Sequence, residues 1–325
     1  MIQKTYDNLD ALKITKNRHM LVVRDRFFSF YDLDLSGILT KFDVFLVNTR
    51  YKDVKKAVKI LRENNCDFIV AIGGGSCIDT AKVIKYYNRI DIPFVAIPTT
   101  SGTGSETTHF AVIYRNEKKN SLADIRLLPN YVILEPMFLK TLPLYQKKCG
   151  LLDSLAQSIE SWWSIRTTTL SMNYNQKAIK LIMDNIDDDF NNNDEENRNM
   201  LLAADFSGKA INLTTTTATH SLSYQLTTLY DTPHGHAVAL CLPKFWAYMK
   251  NYNSIANVLG QSDYKSAIDY LETLLMKWKI LPPKNANIDD LDQFVASIII
   301  QRLNNNLQTL NQMVIRGIYK KILEV

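Results

Sequence analysis

Asp153 and Gln157 stand four residues apart within 151–164, where apolar periodicity predicts a helix, so their side chains share one face. His220 follows a run of threonines at the start of a second predicted helix, and His234 follows Thr232-Pro233. The chain has five histidines, and His220, His234 and His236 fall close together. A histidine alone is most often a satisfied structural residue. Two of them with a carboxylate form a mixed nitrogen and oxygen donor set suited to a divalent transition metal.

A second stretch has the composition of an anion site. Residues 68–72 are apolar and largely β-branched or aromatic, which reads as a buried strand. Gly73, Gly74 and Gly75 allow a sharp turn, Ser76 is a good helix N-cap, and 78–85 has helical character. Strand, glycine turn and helix start together expose backbone N–H groups where the helix dipole favours a pyrophosphate. Another predicted strand, 93–97, leads into Pro98-Thr99-Thr100-Ser101-Gly102-Thr103-Gly104-Ser105-Glu106. Such a loop of hydroxyls and glycines suits close approach to phosphates and a nicotinamide ring. Asp25, after the predicted strand 20–23, is placed either to bind a ribose hydroxyl or as a solvated loop carboxylate.

The elements that must position these residues divide the chain. Strands are expected at 44–47, ending at Asn48, at 111–114 with a polar hairpin turn over 115–119, and at 131–134. Val54, Val58 and Leu61 mark one face of a helix ending near Asn64. Strand and helix alternate to about Thr141, which argues for an open α/β sheet. Beyond Lys147 the pattern is helical over 151–164, 173–186, 198–211, 221–230, 237–248 and 264–277, with one or two closing helices over 303–323. Residues 187–197 read as a solvated acidic loop. The expected domains are 1–147 and 148–325.

The length of 325 residues fits two domains, and 46% hydrophobic with 22% charged residues is an ordinary globular balance. A net charge of +5 fits an anionic ligand but carries little weight, and no Lys/Arg block points to nucleic acid. No apolar run is long enough to span a bilayer, and the polar first ten residues do not read as a secretory signal. The four cysteines form no CxxC pair and read as reduced thiols in a cytoplasmic protein.

Four motifs occur in order: Gly-Gly-Gly-Ser-x-x-Asp-Thr-Ala-Lys at 73–82, the 98–106 loop, the Asp153 helix with a second ligand position at 157, and the pair His220 and His234. Together they resemble the iron-containing (group III) alcohol dehydrogenase family. The resemblance implies a Rossmann-like α/β N-terminal domain with a parallel sheet and an all-α C-terminal metal-binding domain. This is the dehydroquinate synthase-like fold, with the active site in the cleft and a homodimer or larger assembly. It implies NAD(H) contacts at Asp25, Asn48, Gly74, Gly75, Ser76, Asp79, Thr99, Thr100 and Ser105, and Fe2+ or Zn2+ held by Asp153, His220 and His234. The chain departs from the family pattern at Gln157 and Tyr224, both usual or frequent histidine positions. Gln157 offers an amide oxygen as a fourth ligand, which leaves the site's charge unchanged and makes it harder.

Finer matches at 107–112, 157–164, 208–212 and 233–240 resemble the phosphonoacetaldehyde reductase branch of that family. The implied reaction is reduction of a small aldehyde to a primary alcohol, with His236 or Tyr224 relaying the proton. His109, Arg126 and Lys209 are the candidates for holding a phosphonate. Asp25 favours NADH, while the flanking Arg24 and Arg26 keep NADPH open. The alternatives are a group III dehydrogenase acting on another aldehyde, a non-redox lyase of the dehydroquinate synthase type, and a metal-free nucleotide-binding protein.

Overall fold

The computed structural model describes residues 3–25, 33, 35, 37–44, 49–116, 118–186, 190, 192–296, 298, 300–308 and 310–324. The chain forms two compact units, Met1–Leu142 with Asn192–Gly208, and Pro143–Asn191 with Lys209–Val325. Among the described residues no helix is long and apolar enough to cross a membrane.

The first unit contains strands β1 (Lys4–Tyr6), β2 (His19–Asp25), β3 (Ile38–Val44), β4 (Phe68–Gly73), β5 (Phe94–Pro98) and β8 (Tyr131–Ile133), with β6 (Phe110–Arg115) and β7 (Lys118–Ala123) between the last two. Among the described residues the sheet has six strands in the order β1-β8-β5-β4-β2-β3, with every pair parallel. β6 and β7 form a separate antiparallel hairpin. Helix α1 (Tyr51–Glu63) and helix α2 (Gly75–Asn88) place Val54, Ala57, Val58, Leu61, Ile78 and Ala81 against Leu21, Val23, Ile69, Ala71, Phe94 and Ala96. The alternate residues Met20, Val22, Phe68, Val70, Ile72, Val95 and Ile97 face a second core with Leu12 and Phe138. Both sheet faces are covered, which is why these strands read as unbroken apolar runs.

Two local expectations change. The edge strand lies at Ile38–Val44, earlier than the expected 44–47, whose residues 45–48 fall outside the described ones. Its Thr40, Lys41 and Asp43 break the apolar run by which a buried strand is recognised. Ser76 is not the N-cap of α2. Gly74 holds that position, because its carbonyl already accepts from the N–H groups of Cys77 and Ile78, and the cap has no side-chain acceptor.

The second unit is helical. It contains α3 (Leu144–Trp163), α4 (Thr169–Asp184), the end of α5 (Asp194–Thr214), α6 (Ala218–Tyr230), α7 (His234–Met249), α8 (Asn253–Val258), α9 (Tyr264–Lys277), α10 (Leu291–Ala296), α11 (Ile300–Leu303) and α12 (Gln312–Leu323). Helix α3 starts about two turns earlier than expected, because Gly150 reads as punctuation yet sits within the helix. Helix α5 begins inside the expected acidic loop, with Asp194, Glu195 and Glu196 in its first turn, where acidic side chains favour the helix dipole. Trp163 packs edge-on against Phe245 and Trp246, and so joins α3 to α7. All four cysteines are free and buried.

The first unit also buries a cation. Lys82 has no exposure and donates to Ser105 Oγ (3.0 Å), Thr108 Oγ1 (3.1 Å) and Phe110 O (2.7 Å). Burial pushes its pKa from 10.5 down to about 8, against the opposing pull of Asp79 and Glu106. Below pH 8 folded and unfolded chains both carry this charge, and the folded one bears its full desolvation cost. Between pH 8 and about 10 the folded chain has released a proton that the unfolded chain keeps, so stability from this position rises with pH. The difference in urea-unfolding free energy between wild type and Lys82→Met is therefore expected to shift in favour of wild type across that interval. A difference flat with pH would refute this assignment.

Candidate metal and nucleotide sites

In the second unit three side chains from three helices converge. Asp153 lies on α3, His220 in the first turn of α6, and His234 opens α7. Their ligand atoms lie within 4.8 Å of one another. His220 Nε2 is 3.3 Å from Asp153 Oδ1, and His234 Nε2 is 3.8 Å from the same oxygen. Asp153 Oδ1 and His220 Nε2 are buried atoms with no hydrogen-bond partner. Buried polar atoms are rarely left so, and a facing nitrogen and carboxylate oxygen are satisfied together by a cation. The residues present thus fit a divalent metal.

Glu160 determines which nitrogen of His220 faces that position. It lies one turn beyond Gln157 on α3, with no exposure. Its Oε1 accepts from Thr217 N (3.0 Å), Thr217 Oγ1 (2.7 Å) and His220 N (3.2 Å), while its Oε2 binds His220 Nδ1. With Nδ1–H donated to a carboxylate, Nε2 is the nitrogen that faces Asp153 and the ligand position, and the ring is made more basic. Burial opposes charge on His220, but Glu160 and Asp153 outweigh it and push its pKa up to about 9. The same pairing holds Glu160 below its ordinary value despite its burial.

His234 depends on a close backbone approach. A Cβ added at Gly235 would lie 2.1 Å from the carbonyl oxygen of Cys149, so only glycine lets the start of α7 rest on α3. Gln157 is 2% exposed, one turn from Asp153 on the same helix. Tyr224 stacks on His234, with ring centroids 6.3 Å apart and planes 14° from parallel. His236 has both ring nitrogens engaged. Nε2 donates to Leu281 O (2.9 Å), and Nδ1 accepts from Tyr145 Oη (2.7 Å). Burial holds its pKa below the ordinary value.

In the first unit the two glycine-containing motifs meet. Thr99 N donates to Gly73 O (3.1 Å), and the Thr103 side chain lies 2.9 Å from where a Cβ on Gly75 would stand, so residue 75 must lack one. The predicted contacts Gly74, Gly75, Ser76, Thr99, Thr100 and Ser105 therefore gather at the carboxyl ends of β4 and β5. The β2–β4 register pairs Arg24 with Ile72 and brings Asp25 level with that turn. Asp79 accepts from Ser105 Oγ at Oδ1 (2.5 Å) and from Val112 N at Oδ2 (2.8 Å), tying α2 to the loop and the hairpin. Asn48 lies outside the described residues. Of the candidates for a phosphonate, Arg126 is exposed and forked onto Asp124, and His109 packs beside Phe110.

One unit thus carries a three-ligand cluster and the other a glycine turn overlaid by a hydroxyl loop, and comparison with known proteins names the family. Residues 4–136 match the model of the iron-containing alcohol dehydrogenase, and residues 149–323 that of the Fe-containing alcohol dehydrogenase family, C-terminal. The chain belongs to the iron-containing alcohol dehydrogenase family. It is 33% identical over 215 residues to the phosphonoacetaldehyde reductase of Streptomyces viridochromogenes, covering 58% of this chain and 54% of that protein. It is 32% identical over 224 residues to aldehyde-alcohol dehydrogenase 2 of Entamoeba histolytica, covering 60% of this chain and 26% of that protein. The match thus spans about half the length of the first relative and a quarter of the second. In fold it is similar to sulfoacetaldehyde reductase from Bifidobacterium kashiwanohense in complex with NAD+, with a TM-score of 0.91 at 24% identity over 99% of this chain and 97% of that one. The iron-containing alcohol dehydrogenase of Thermotoga maritima gives a TM-score of 0.87 at 25% identity, over 100% and 99%.

Glu160, Gly235 and Tyr145 hold the cluster histidines and His236 in place through contacts that motif reading does not single out. The available signal for Glu160 is spacing, since 153, 157 and 160 fall on one face of a helix that is otherwise mostly apolar. Glu160→Gln is expected to keep the shape and weaken metal binding by roughly 10-fold or more. Gly235→Ala is expected to displace His234 and leave the purified chain with a small fraction of the wild-type metal. Both are read as metal per chain by atomic absorption after dialysis against a competing chelator, and wild-type metal content in either variant would refute its assigned role.

Proposed function

We propose that this chain is a metal-dependent, NADH-linked reductase of small aldehydes, and that phosphonoacetaldehyde, giving 2-hydroxyethylphosphonate, is its substrate. The observation that carries this reading is the pair of orphaned buried atoms, Asp153 Oδ1 and His220 Nε2, within the three-ligand cluster. The substrate choice is supported by the 33% identity to a phosphonoacetaldehyde reductase. A divalent cation there, with Gln157 as a fourth donor, supplies Lewis acidity toward a carbonyl oxygen, and a nicotinamide supplies the hydride.

The chain's own residues orient and exclude. Glu160 fixes His220 through Nδ1–H, and burial of Asp153, Gln157 and His220 keeps water from the donor atoms. Gly74, Gly75 and Ser76 present the first-turn N–H groups of α2 to a pyrophosphate, with Thr99, Thr100 and Ser105 beside them. Asp79 acts by holding Ser105 in place. Tyr224 Oη is the proposed proton carrier, because His236 cannot give up Nε2–H without breaking its bond to Leu281 O. NADH is favoured because a carboxylate at Asp25 repels a 2′-phosphate and Arg24 is forked onto Asp43, while Arg26 lies outside the described residues. On the family resemblance, we take the working form to be a cytoplasmic homodimer.

The test is NADH oxidation followed by its near-ultraviolet absorbance with a set of small aldehydes that includes phosphonoacetaldehyde, with and without added Fe2+ or Zn2+. Metal-dependent turnover is expected, highest in kcat/KM for phosphonoacetaldehyde and lost in Asp153→Asn. Absence of NADH consumption with every aldehyde and metal would end the reading. A strong preference for NADPH at equal concentration would end the assignment of Asp25.

A further inference from the structure

The aromatic ring that stacks on His234 has a cation on it. Arg302, on α11, places its guanidinium carbon 5.3 Å from the centroid of Tyr224. One aromatic ring therefore separates this guanidinium from a member of the metal cluster. Its Nη1 donates to Thr216 Oγ1. Thr216 lies between α5 and α6, in a segment clamped by Asn305 Nδ2, which donates to Thr214 O (2.9 Å), Thr215 Oγ1 (3.0 Å) and Thr216 O (3.3 Å). Thr215 has φ 60, a strained value for a β-branched residue and one that persists only where the surroundings impose it.

Arg302 is set apart by its place beside the ring that stacks on His234, and like Arg62 and Arg115 it meets no carboxylate among the described residues. Arg18, Arg24, Arg126, Arg198 and Arg316 by contrast each meet a carboxylate, Asp67, Asp43, Asp124, Asp7 and Asp292 respectively. Among the described residues none pairs with Arg302, which is only partly exposed. A guanidinium has five N–H donors, and among the described residues one hydrogen bond, to Thr216, engages that of Arg302. Tyr224 supplies a neutral ring face on which the cation rests, where a protonated histidine would repel it.

We propose that Arg302 is the specificity residue for an anionic head on the aldehyde, a tetrahedral oxyanion carried one carbon from the carbonyl. The planar fork fits two oxygens of a phosphonate or sulfonate, which share this chemistry. The role rests on the aldehyde-reductase reading above and assigns the substrate class of that site. It replaces His109, Arg126 and Lys209 as the group that reads the anion.

The experiment compares wild type, Arg302→Met and Arg302→Lys with phosphonoacetaldehyde, sulfoacetaldehyde and neutral propionaldehyde. Folding is checked by thermal melting, and metal content is measured in each. Methylphosphonate binding is followed by calorimetry in parallel. In Arg302→Met the ratio of kcat/KM for the anionic over the neutral aldehyde is expected to fall about 30-fold, mostly through KM, with methylphosphonate bound at least about 10-fold more weakly. Arg302→Lys, which keeps the charge and loses the fork, is expected to fall between. The aldehyde with the larger fall identifies which oxyanion the site takes. A ratio within about threefold of wild type, with methylphosphonate binding unmoved, overturns the proposal and leaves Arg302 a brace for Thr216. If wild type reduces no aldehyde while methylphosphonate binding still depends on Arg302, the reductase reading falls and the anion subsite stands.

Discussion

A carboxylate sealed from water cannot stay charged without donors, and Glu160 has four aimed at it: the N–H and hydroxyl of Thr217, and the N–H and Nδ1 of His220. These bonds hold the first turn of α6 against α3. They also leave His220 Nε2 facing Asp153 Oδ1. The rest of the cluster is built on that pair. Trp163 donates to Thr217 Oγ1 and so anchors the same turn from the other side, while Gly235 brings in α7 with His234. The site is thus assembled by the packing of three helices, and its ligand atoms are in place through contacts between protein groups.

The first unit follows a similar logic with different chemistry. A glycine turn at the end of β4 is overlaid by the hydroxyl loop after β5, and the loop is fixed from beneath by Asp79 and Lys82. A buried ammonium and a carboxylate, joined through Ser105, leave little freedom to a segment whose composition alone looks flexible. The loop's hydrogen bonds account for its shape, and the small residues account for its closeness to the turn.

Most of this was legible in the sequence where one residue type has few uses. The glycine run, the threonine-rich loop and the scarce histidines stand out because alternatives to their chemistry are limited. The buried strands were legible because a sheet covered on both faces needs apolar residues throughout, and β3 was shifted because its edge position tolerates Thr40, Lys41 and Asp43. Glu160 and Arg302 were not legible. A glutamate in a helix or an arginine near a chain end is ordinary until the fold shows what surrounds it. The expected cap at Ser76 illustrates the converse. Ser76 has a side chain suited to capping, but the Gly74 carbonyl takes that position; His236 is seen bonded at both nitrogens, to Tyr145 and Leu281.

The pairing of β1 with β8 has a consequence for biogenesis. Lys4 lies beside Tyr131, so β1 waits for a strand made far later. The unit that contains both also includes Asn192–Gly208, while Pro143–Asn191 belongs to the other unit. Translation must therefore deliver residue 208 before the first unit is complete, with a stretch of its neighbour already emerged. Long-range parallel pairing of this kind slows folding and prolongs exposure of apolar strands. The nascent chain must keep β2, β4 and β5 from self-association until its last segment arrives.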